Sequence, residues 1–373
     1  MRWRMRSKAI SRNEWQLYVL AGLFLAVESF FLGKYGVRSS WDTTEYVLNA
    51  HQLLQGEGVE PFYLPYVGYV AYLALHFLVR GNEWSIVLGQ IGVAGISVWA
   101  FYRLCQKEMA PGFAFCASMF YAVWPSLRYW DAYLYTDSLY VSLMVISLYC
   151  IASENKTGAF KIGQAVLLGA VLLIRPSAWL FLVALLGARW IKTGTQKGFG
   201  TRESMYWASG LGIASACLLF LFFRYHALLL LESYAKGEVI YPDVCIPVPG
   251  TVEERKDLFS WICRHPAWFV KMAGIKMGYF LSGIKPFYSS LHNAFALVTN
   301  GFLFFFSGVA CLKKIFTSEY RGFFLLFCGL HLAMVGIMAE NWDGRFLLPL
   351  LPAAIFFCFG GMQAVFVPRK KIA

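Results

Sequence analysis

Long apolar stretches separated by short polar segments repeat along the whole chain. A helix of about 20 apolar residues crosses about 30 Å of hydrocarbon at about 1.5 Å per residue. The pattern therefore predicts an all-α integral membrane protein. The apolar blocks lie near Trp15–Gly33, Pro61–Val79, Trp84–Leu104, Pro111–Leu127, Ser138–Ala152, Ile162–Ile174, Ser177–Ile191, Met205–Phe223, Asn293–Leu312, Arg321–Ala339 and Phe346–Val367.

The basic residues predict how these blocks cross the membrane, because cytoplasmic loops are enriched in Lys and Arg. Simple alternation through every block would place Arg103 and Lys107 outside. The conflict disappears if Pro61–Val79, which is rich in proline and tyrosine, lies at the outer interface without spanning. We therefore expect about ten spanning helices in a cell (inner) membrane protein, with the N-terminus and the C-terminus both cytoplasmic.

In this topology 19 of the 33 Lys and Arg residues lie inside and six lie in short outer segments. The others lie in a long outer loop, residues 224–292, where charge has little influence on topology. Within it, residues 265–285 alternate aromatic and basic side chains at helical spacing, which predicts an amphipathic surface helix. We expect a single polytopic membrane domain over residues 1–373, with a first outer loop at 34–83 that contains the interfacial helix.

The composition agrees with a membrane protein and argues against a nucleic-acid partner. Hydrophobic residues make up 58% of the chain and charged residues only 14%, against about 25% charged in soluble proteins. The net charge of +12 comes from basic residues at the ends of apolar blocks, as topology requires. The cysteines show no metal-ligand spacing, so no metal is indicated. Cys245 and Cys263 share the long outer loop, where either a disulfide or two thiols fits the sequence.

The first outer loop contains the first candidate for chemistry, the segment Trp41–Gly56. Asp42, Glu45 and Asn49 are three and four residues apart and would share one helical face. Asp42 is a candidate general base, and Glu45 and Tyr46 are candidates for substrate binding. The alternative is that Asp42, or one of the two threonines after it, simply caps a surface helix.

The second outer turn, residues 128–138, carries Arg128, Asp131 and Asp137. Asp137 is a candidate for orienting a sugar hydroxyl, and the alternative is an N-cap for the returning helix. Arg128 is a candidate for substrate binding. Asp131 is expected to be solvated.

Two further arginines stand at the outer ends of apolar blocks. Arg175 follows a short block and precedes a proline, and Arg345 begins the last block. Guanidinium groups bind phosphates bidentately, so both are candidates for a substrate phosphate, with lipid headgroups as the alternative partner. Glu28, a lone acid in the first block, is expected to pair with one of the outer-face arginines.

Taken together, these segments resemble the lipid-linked-sugar glycosyltransferases of the GT-C fold. The resemblance is to the branch that contains protein O-mannosyltransferases and aminoarabinose transferases. Many members have two adjacent acids in the first outer loop, whereas here Thr43 follows Asp42, which leaves Asp42 as the single inferred base. The matching features are Asp42, Tyr46, Ala50 and Leu53–Gly56, then Pro65–Tyr69, Tyr135–Ser138, Arg175–Pro176 and Arg345–Pro352.

The resemblance implies transfer of a sugar from a polyprenyl-phosphate donor to an acceptor hydroxyl at the outer face. Arg175 and Arg345 would hold the phosphate, Asp42 would accept the hydroxyl proton, and Asp137 would orient the reactants. The anomeric carbon would be inverted. The acceptor would be a lipid, a glycan or a protein. No nucleotide sugar is implied. A divalent metal stays open as a cofactor but is not indicated, because the first loop lacks an Asp-x-Asp pair.

Two other functions remain open from the sequence. A transporter or flippase of lipid-linked sugars would use the same arginines without chemistry, although such carriers usually show polar residues through the membrane depth. An outer-face glycan polymerase or ligase would use a lipid-diphosphate donor.

Overall fold

The computed structural model describes residues 14–153, 157–225, 234, 236–241, 244–250, 258–338, 340–341 and 344–367. The chain divides into two compact units, Met1–Ile174 (unit 1) and Arg175–Ala373 (unit 2). Both units are predominantly helical.

The described part of unit 1 consists of helices joined by short turns. Helix α4 packs against α5 and α7, and α7 in turn packs against α8. Helix α1 contacts α5, while α2 lies on α3. The helices are α1 (Glu14–Tyr35), α2 (Trp41–Gln55), α3 (Val67–Leu78), α4 (Glu83–Glu108), α5 (Pro111–Val123), α6 (Pro125–Asp131), α7 (Thr136–Ile151) and α8 (Gly158–Ile174), with a 3-10 helix at Pro61–Tyr66 before α3.

Helix α2 begins and ends at local sequence signals. Its N-cap is Ser40, whose backbone N–H donates to Oγ1 of Thr43 at 2.9 Å. Gly56 ends the helix with a φ of 81°, a left-handed conformation that glycine adopts without strain. The expectation that Asp42 or a following threonine is the N-cap is wrong, because the capping box begins two residues earlier.

Helix α3 is only 12 residues long. At about 1.5 Å per residue it reaches about 18 Å, well short of the hydrocarbon thickness. Gly68 lies against the end of α8, and a Cβ there would stand 2.8 Å from the backbone carbonyl of Leu173. The length agrees with a helix that does not span, while its position at the outer interface stays a prediction.

The described part of unit 2 combines helices with a small sheet. Helix α9 packs against α10 and α14, and α13 packs against α15. Three short strands form a sheet in the order β2-β1-β3, with β1 antiparallel to β2 and parallel to β3. The elements are α9 (Ala178–Lys197), α10 (Arg202–Tyr225), β1 (Glu238–Tyr241), β2 (Val244–Cys245), α11 (Leu258–Arg264), α12 (Pro266–Ser282), α13 (Ser290–Leu312), α14 (Ser318–Ile337), β3 (Glu340–Asn341) and α15 (Leu351–Phe366), with a 3-10 helix at Arg345–Leu350 before α15.

Six helical segments among the described residues are long and apolar enough to cross a membrane. The chain is therefore a largely helical membrane protein. The expected total of about ten spans and the orientation of the termini stay predictions. The six segments are Glu14–Tyr35, Glu83–Glu108, Arg202–Leu221, Ser290–Leu312, Ser318–Ile337 and Arg345–Phe366; three shorter apolar helices are Pro111–Val123, Thr136–Ile151 and Gly158–Ile174.

The helix expected at residues 265–285 is present as α12. Its Lys271 is exposed, but Lys276 lies on the buried face together with Met272 and Phe280. The basic residues of this helix are therefore divided between its two faces, and its location on the membrane surface stays a prediction.

Candidate active site

The polar face of α2 carries two half-buried acids and one fully buried amide. Asp42 and Glu45 are half-buried, whereas Asn49 is fully buried. The Asn49 carboxamide accepts a hydrogen bond from the backbone N–H of Glu60 at 2.8 Å and donates to the carbonyl of Glu45 at 2.9 Å. Asn49 therefore fixes the chain that leaves α2, and the two acids are the members of this face that remain partly accessible.

A cluster of tyrosines packs behind these two acids. The ring of Tyr46 is 3% exposed. Its centroid lies 5.3–5.8 Å from those of four other tyrosines, at distances typical of aromatic pairs. We call Tyr46, Tyr63, Tyr66, Tyr69 and Tyr135 the tyrosine cluster. Tyr46 was predicted to bind substrate, and its position at the centre of this cluster makes it a packing residue first.

The pKa of Tyr63, a member of the tyrosine cluster, responds to the carboxylates of α2. Burial raises its pKa to about 12, and the negative charges of Glu45, Asp42 and Glu60 add to the shift. A carboxylate raises a phenol pKa only when it lies close enough to repel the phenolate. The ring of Tyr63 lies 5.7 Å from that of Tyr46, which stands on the same helix as the two acids.

Asp137 lies two residues after Tyr135, which belongs to the tyrosine cluster. It is fully buried in the first turn of α7, where the helix dipole favours negative charge. The pKa of Tyr69 is raised by burial first and then by Tyr72 and Asp137. The N-cap of α7 is Tyr135. The alternative that Asp137 is the N-cap is therefore wrong, because the helix starts earlier than expected.

Hydrogen bonds connect the start of α2 to the loop before α7. Oγ1 of Thr43 donates to the carbonyl of Leu134 at 2.9 Å. The hydroxyl of Tyr69 donates to Gln90 at 2.9 Å, and the Gln90 amide donates to the carbonyl of Tyr133 at 2.7 Å. The residue after Asp42 and the loop before Asp137 are thus held in one hydrogen-bonded frame within unit 1.

Arg128 lies in a buried ion triad and not on an accessible surface. Its Nη1 is 3.1 Å from Oε1 of Glu28 and 2.7 Å from Oδ2 of Asp131, and Ser138 donates to Asp131. All three charged residues are at most 2% exposed. The expected pairing of Glu28 with an arginine is confirmed. The expectation that Asp131 is solvated is wrong, because Asp131 and Arg128 share one turn of α6 that points inward.

The triad also changes the interpretation of Arg128 as a substrate-binding residue. Its guanidinium already contacts two carboxylates and is covered by protein on all sides. The structure therefore gives Arg128 an internal role, holding α6 against α1, and leaves it no exposed surface for a substrate.

Unit 2 brings the other two predicted arginines together. The guanidinium carbon of Arg175 lies 6.0 Å from the ring centroid of Phe346, and that of Arg345 lies 5.7 Å from the same centroid. Arg175 is 6% exposed and Arg345 is half-buried at the start of the 3-10 helix. Two cations far apart in sequence thus meet at one aromatic ring.

The sequence did not single out two buried polar residues in unit 2. His331 is fully buried in α14, where its Nδ1 is 2.9 Å from the carbonyl of Phe327. Lys276 is fully buried in α12, with its amine 4.0 Å from the centroid of Tyr234. Within the described residues, neither Nε2 of His331 nor Nζ of Lys276 has a hydrogen-bond partner. The spacing of Phe323, Phe327 and His331 along α14 was the only sequence signal for this histidine.

No group of three His, Cys, Asp or Glu side chains among the described residues is arranged to hold a metal ion. Cys245 and Cys263 are both exposed and are not bonded to each other.

No protein-family model and no curated protein matches the sequence. Among solved structures, the chain is similar to the archaeal oligosaccharyltransferase AglB from Archaeoglobus fulgidus in complex with an inhibitory peptide and a dolichol-phosphate, with 14% sequence identity and a TM-score of 0.49. The similarity covers 97% of this chain and 53% of AglB, so this chain spans about half the length of that protein.

Proposed function

We propose that the protein is a membrane glycosyltransferase that moves a sugar from a polyprenyl-phosphate donor to an acceptor hydroxyl at the outer, extracytoplasmic face of the cell membrane. The observation that carries the proposal is the convergence of Arg175 and Arg345 on the ring of Phe346. The order of the sequence motifs, from the Asp42 segment to the last Arg-Phe-Leu-Leu-Pro, supports the same assignment.

The arginine pair suits the phosphate of the donor. A phosphate that contacts both guanidinium groups would be held by two positive charges at once. Each guanidinium can offer two parallel N–H groups to phosphate oxygens, and the ring of Phe346 restrains their planes. In the reaction these groups stabilise the negative charge that collects on the phosphate as the bond to the sugar breaks.

Asp42 is the proposed general base. It is half-buried at the start of a short helix whose capping box and bond to Leu134 fix its position. The Asp42 carboxylate accepts the proton of the acceptor hydroxyl while the hydroxyl oxygen attacks the anomeric carbon. A new carbon–oxygen bond forms, the bond from that carbon to the phosphate oxygen breaks, and the lipid phosphate leaves from the opposite face. A single displacement of this kind inverts the anomeric carbon.

The neighbours of Asp42 have supporting roles in the proposal. Glu45 is half-buried on the same face and would bind acceptor hydroxyl groups. Tyr46 holds that face against the tyrosine cluster. Asp137 is fully buried in the first turn of α7, so we assign it to holding the start of that helix beside Tyr135, in place of the direct contact with substrate that the sequence indicated.

The test is a transfer assay on the purified protein in lipid bilayers. Polyprenyl-phosphate sugars that carry a radiolabel on the sugar are incubated with the protein and an extract of cell-envelope acceptors. We expect label to move to an acceptor with inverted anomeric configuration. Arg345→Gln should reduce the transfer at least about tenfold, and Arg80→Gln, which changes an exposed outer arginine of unit 1, should leave it within about twofold.

A parallel measurement separates transfer from transport. Donor lipid is placed in one leaflet of sealed vesicles, and its appearance in the other leaflet is followed in the absence of acceptor. Movement between leaflets without any transfer to an acceptor would replace the enzyme with a transporter. Transfer from a lipid-diphosphate glycan but not from a lipid-monophosphate sugar would replace it with a polymerase or ligase.

A further inference from the structure

Arg38 is held in a cage of tyrosine rings just after the end of α1. Its guanidinium carbon lies 5.3 Å from the ring centroid of Tyr35, 5.1 Å from that of Tyr129 and 4.9 Å from that of Tyr133. Nη1 donates a hydrogen bond to the Tyr129 hydroxyl at 2.5 Å. Cation–π contacts with several rings restrain the plane of a guanidinium group. The side chain therefore has a defined orientation although Arg38 is only half-buried.

The backbone of Arg38 is equally restrained. Its N–H donates to the carbonyl of Ala132 at 2.9 Å, and its carbonyl accepts from the N–H of Leu134 at 2.9 Å. These two bonds form a parallel bridge with the segment around Tyr133. Both ends of the residue are thus fixed in advance, which lowers the entropic cost of binding a ligand.

The charge of Arg38 is not matched within the structure. No carboxylate among the residues that the structure describes lies within ion-pairing distance of its guanidinium, and the bond to Tyr129 is the only hydrogen bond that the guanidinium makes there. A guanidinium has five N–H donors. Arg128 lies in the 125–134 segment that supplies Tyr129 and Tyr133 to the cage. It shows the opposite case, since two buried carboxylates neutralise it. The cage around Arg38 therefore orients a cation that has no carboxylate partner among the described residues.

The surroundings indicate which anion this is. α1 is a candidate membrane span, and Arg38 lies three residues beyond its end, the depth at which lipid headgroups begin. Phe30 and Tyr35 present exposed rings beside the site, 58% and 39% exposed, where acyl chains can pack. Lys34 adds a second exposed positive charge over the same two rings.

We propose that Arg38 and the hydroxyl of Tyr129 form a binding site for the phosphate group of a membrane lipid. Guanidinium groups match phosphate oxygens in charge and geometry, and tyrosine hydroxyls add a further hydrogen bond. The site lies wholly within unit 1 and does not depend on the arginine pair of unit 2. The lipid is a membrane phospholipid or a phosphate-bearing substrate lipid, and both offer the same headgroup chemistry.

The test counts lipids bound to the intact protein by native mass spectrometry from a maltoside detergent. The probes are didecanoyl phosphatidylglycerol, didecanoyl glycerol, which lacks the phosphate, decaprenyl phosphate, and inorganic phosphate. We expect the native protein to retain the phospholipid and not the neutral lipid. Arg38→Gln should weaken phospholipid binding at least about tenfold, and Arg38→Lys by a smaller factor, because the ammonium keeps the charge but loses the planar fork. Arg80→Gln, which removes an exposed arginine of unit 1 outside this site, should change it less than about threefold.

Several results would overturn the proposal. One is a neutral lipid bound as well as the phospholipid, and another is an Arg38→Gln variant that binds like the native protein. Equal binding of inorganic phosphate would show that the ligand is not a lipid. If Arg38→Gln does not fold, Arg38→Lys and Tyr129→Phe, which removes only the hydroxyl, carry the test. Decaprenyl phosphate retained better than phospholipid would identify the ligand as a substrate lipid. Loss of binding in Arg345→Gln instead of Arg38→Gln would refute this site and leave the proposed transferase intact.

Discussion

Lys276 provides a prediction that depends on burial alone. The amine is fully buried on the inner face of α12, lies 4.0 Å from the centroid of the Tyr234 ring, and has no hydrogen-bond partner among the described residues. Burial lowers its pKa to about 7, and the negative charge of Glu238 only partly opposes that effect. At neutral pH the folded protein therefore holds this lysine about half neutral, whereas the unfolded chain holds it charged.

The size and sign of the effect follow from this difference. An unfolded lysine has a pKa of about 10.4, so the unfolded state binds more protons between about pH 7 and pH 10. Below pH 7 both states are charged and folding bears the whole cost, about 4–5 kcal/mol at about 1.36 kcal/mol per pKa unit. The cost falls to about 2 kcal/mol by pH 9. Stability should therefore rise with pH across this window.

The perturbation is Lys276→Met, which keeps an unbranched side chain one atom shorter and removes the ionisable group. We expect the variant to melt about 8–20 °C above the native protein at pH 6, since about 1 kcal/mol moves the midpoint by about 2–4 °C in a unit of this size. The difference should shrink steadily towards pH 9.5. The assay is thermal unfolding in detergent, followed by intrinsic fluorescence at half-unit pH steps.

The matched control is Lys271→Met, on the exposed face of the same helix. It should leave both the midpoint and its pH profile unchanged. A Lys276→Met variant that melts below the native protein at every pH would show that the amine makes a stabilising contact when charged. A gain that does not change with pH would show that it comes from better packing and not from the removal of a titrating group.

Three further changes test the fold and the topology. Gly68→Ala should destabilise unit 1 by about 1–3 kcal/mol because its Cβ would meet the Leu173 carbonyl at 2.8 Å. The control is Gly92→Ala, where nothing lies within 4 Å of the added Cβ. Equal melting temperatures for the two variants would refute the close approach. Arg128→Met should cost about 3–5 kcal/mol in unfolding experiments because it leaves two buried carboxylates without a cation, and an unchanged midpoint would argue against the triad. A fluorescent protein fused to the C-terminus should fluoresce and an alkaline phosphatase fusion should be inactive, as cytoplasmic fusions are; the reverse result would invert the topology.

Local signals in the sequence were sufficient for the elements near the candidate site. The helical face of Asp42, Glu45 and Asn49 followed from their spacing, and the pairing of Glu28 followed from the cost of an unpaired acid within a span. The N-caps were placed incorrectly because several Ser, Thr and Asp residues compete near each helix start. For α2, the choice of Ser40 depends on a bond to Thr43 that the sequence does not rank.

The remaining features of the site depend on contacts between distant segments. Arg128 and Asp131 are buried because α6 turns one face towards α1, about 100 residues earlier in the chain, and nothing in the local pattern distinguishes that face from a solvated turn. The same reason applies to Lys276. The spacing of the side chains in residues 265–285 indicates a helix but does not show which of its faces is covered. The meeting of Arg175 and Arg345 at Phe346 joins residues 170 positions apart, so each arginine could be proposed from sequence but their contact with one ring could not.

The measurement that tests the central claim most directly compares the native protein, Asp42→Asn and Glu57→Gln for transfer of labelled sugar in lipid bilayers. Glu57 is an exposed carboxylate just beyond α2, so its variant controls for a general loss of negative charge on this loop. Asn keeps the shape of Asp42 but cannot accept the proton, which should lower the transfer rate at least about a hundredfold at equal protein abundance. We expect native and Glu57→Gln proteins to transfer label at similar rates and Asp42→Asn to transfer almost none. Full transfer by Asp42→Asn would contradict the role of Asp42 as base, and no transfer by the native protein with any lipid-phosphate sugar would contradict the enzyme itself.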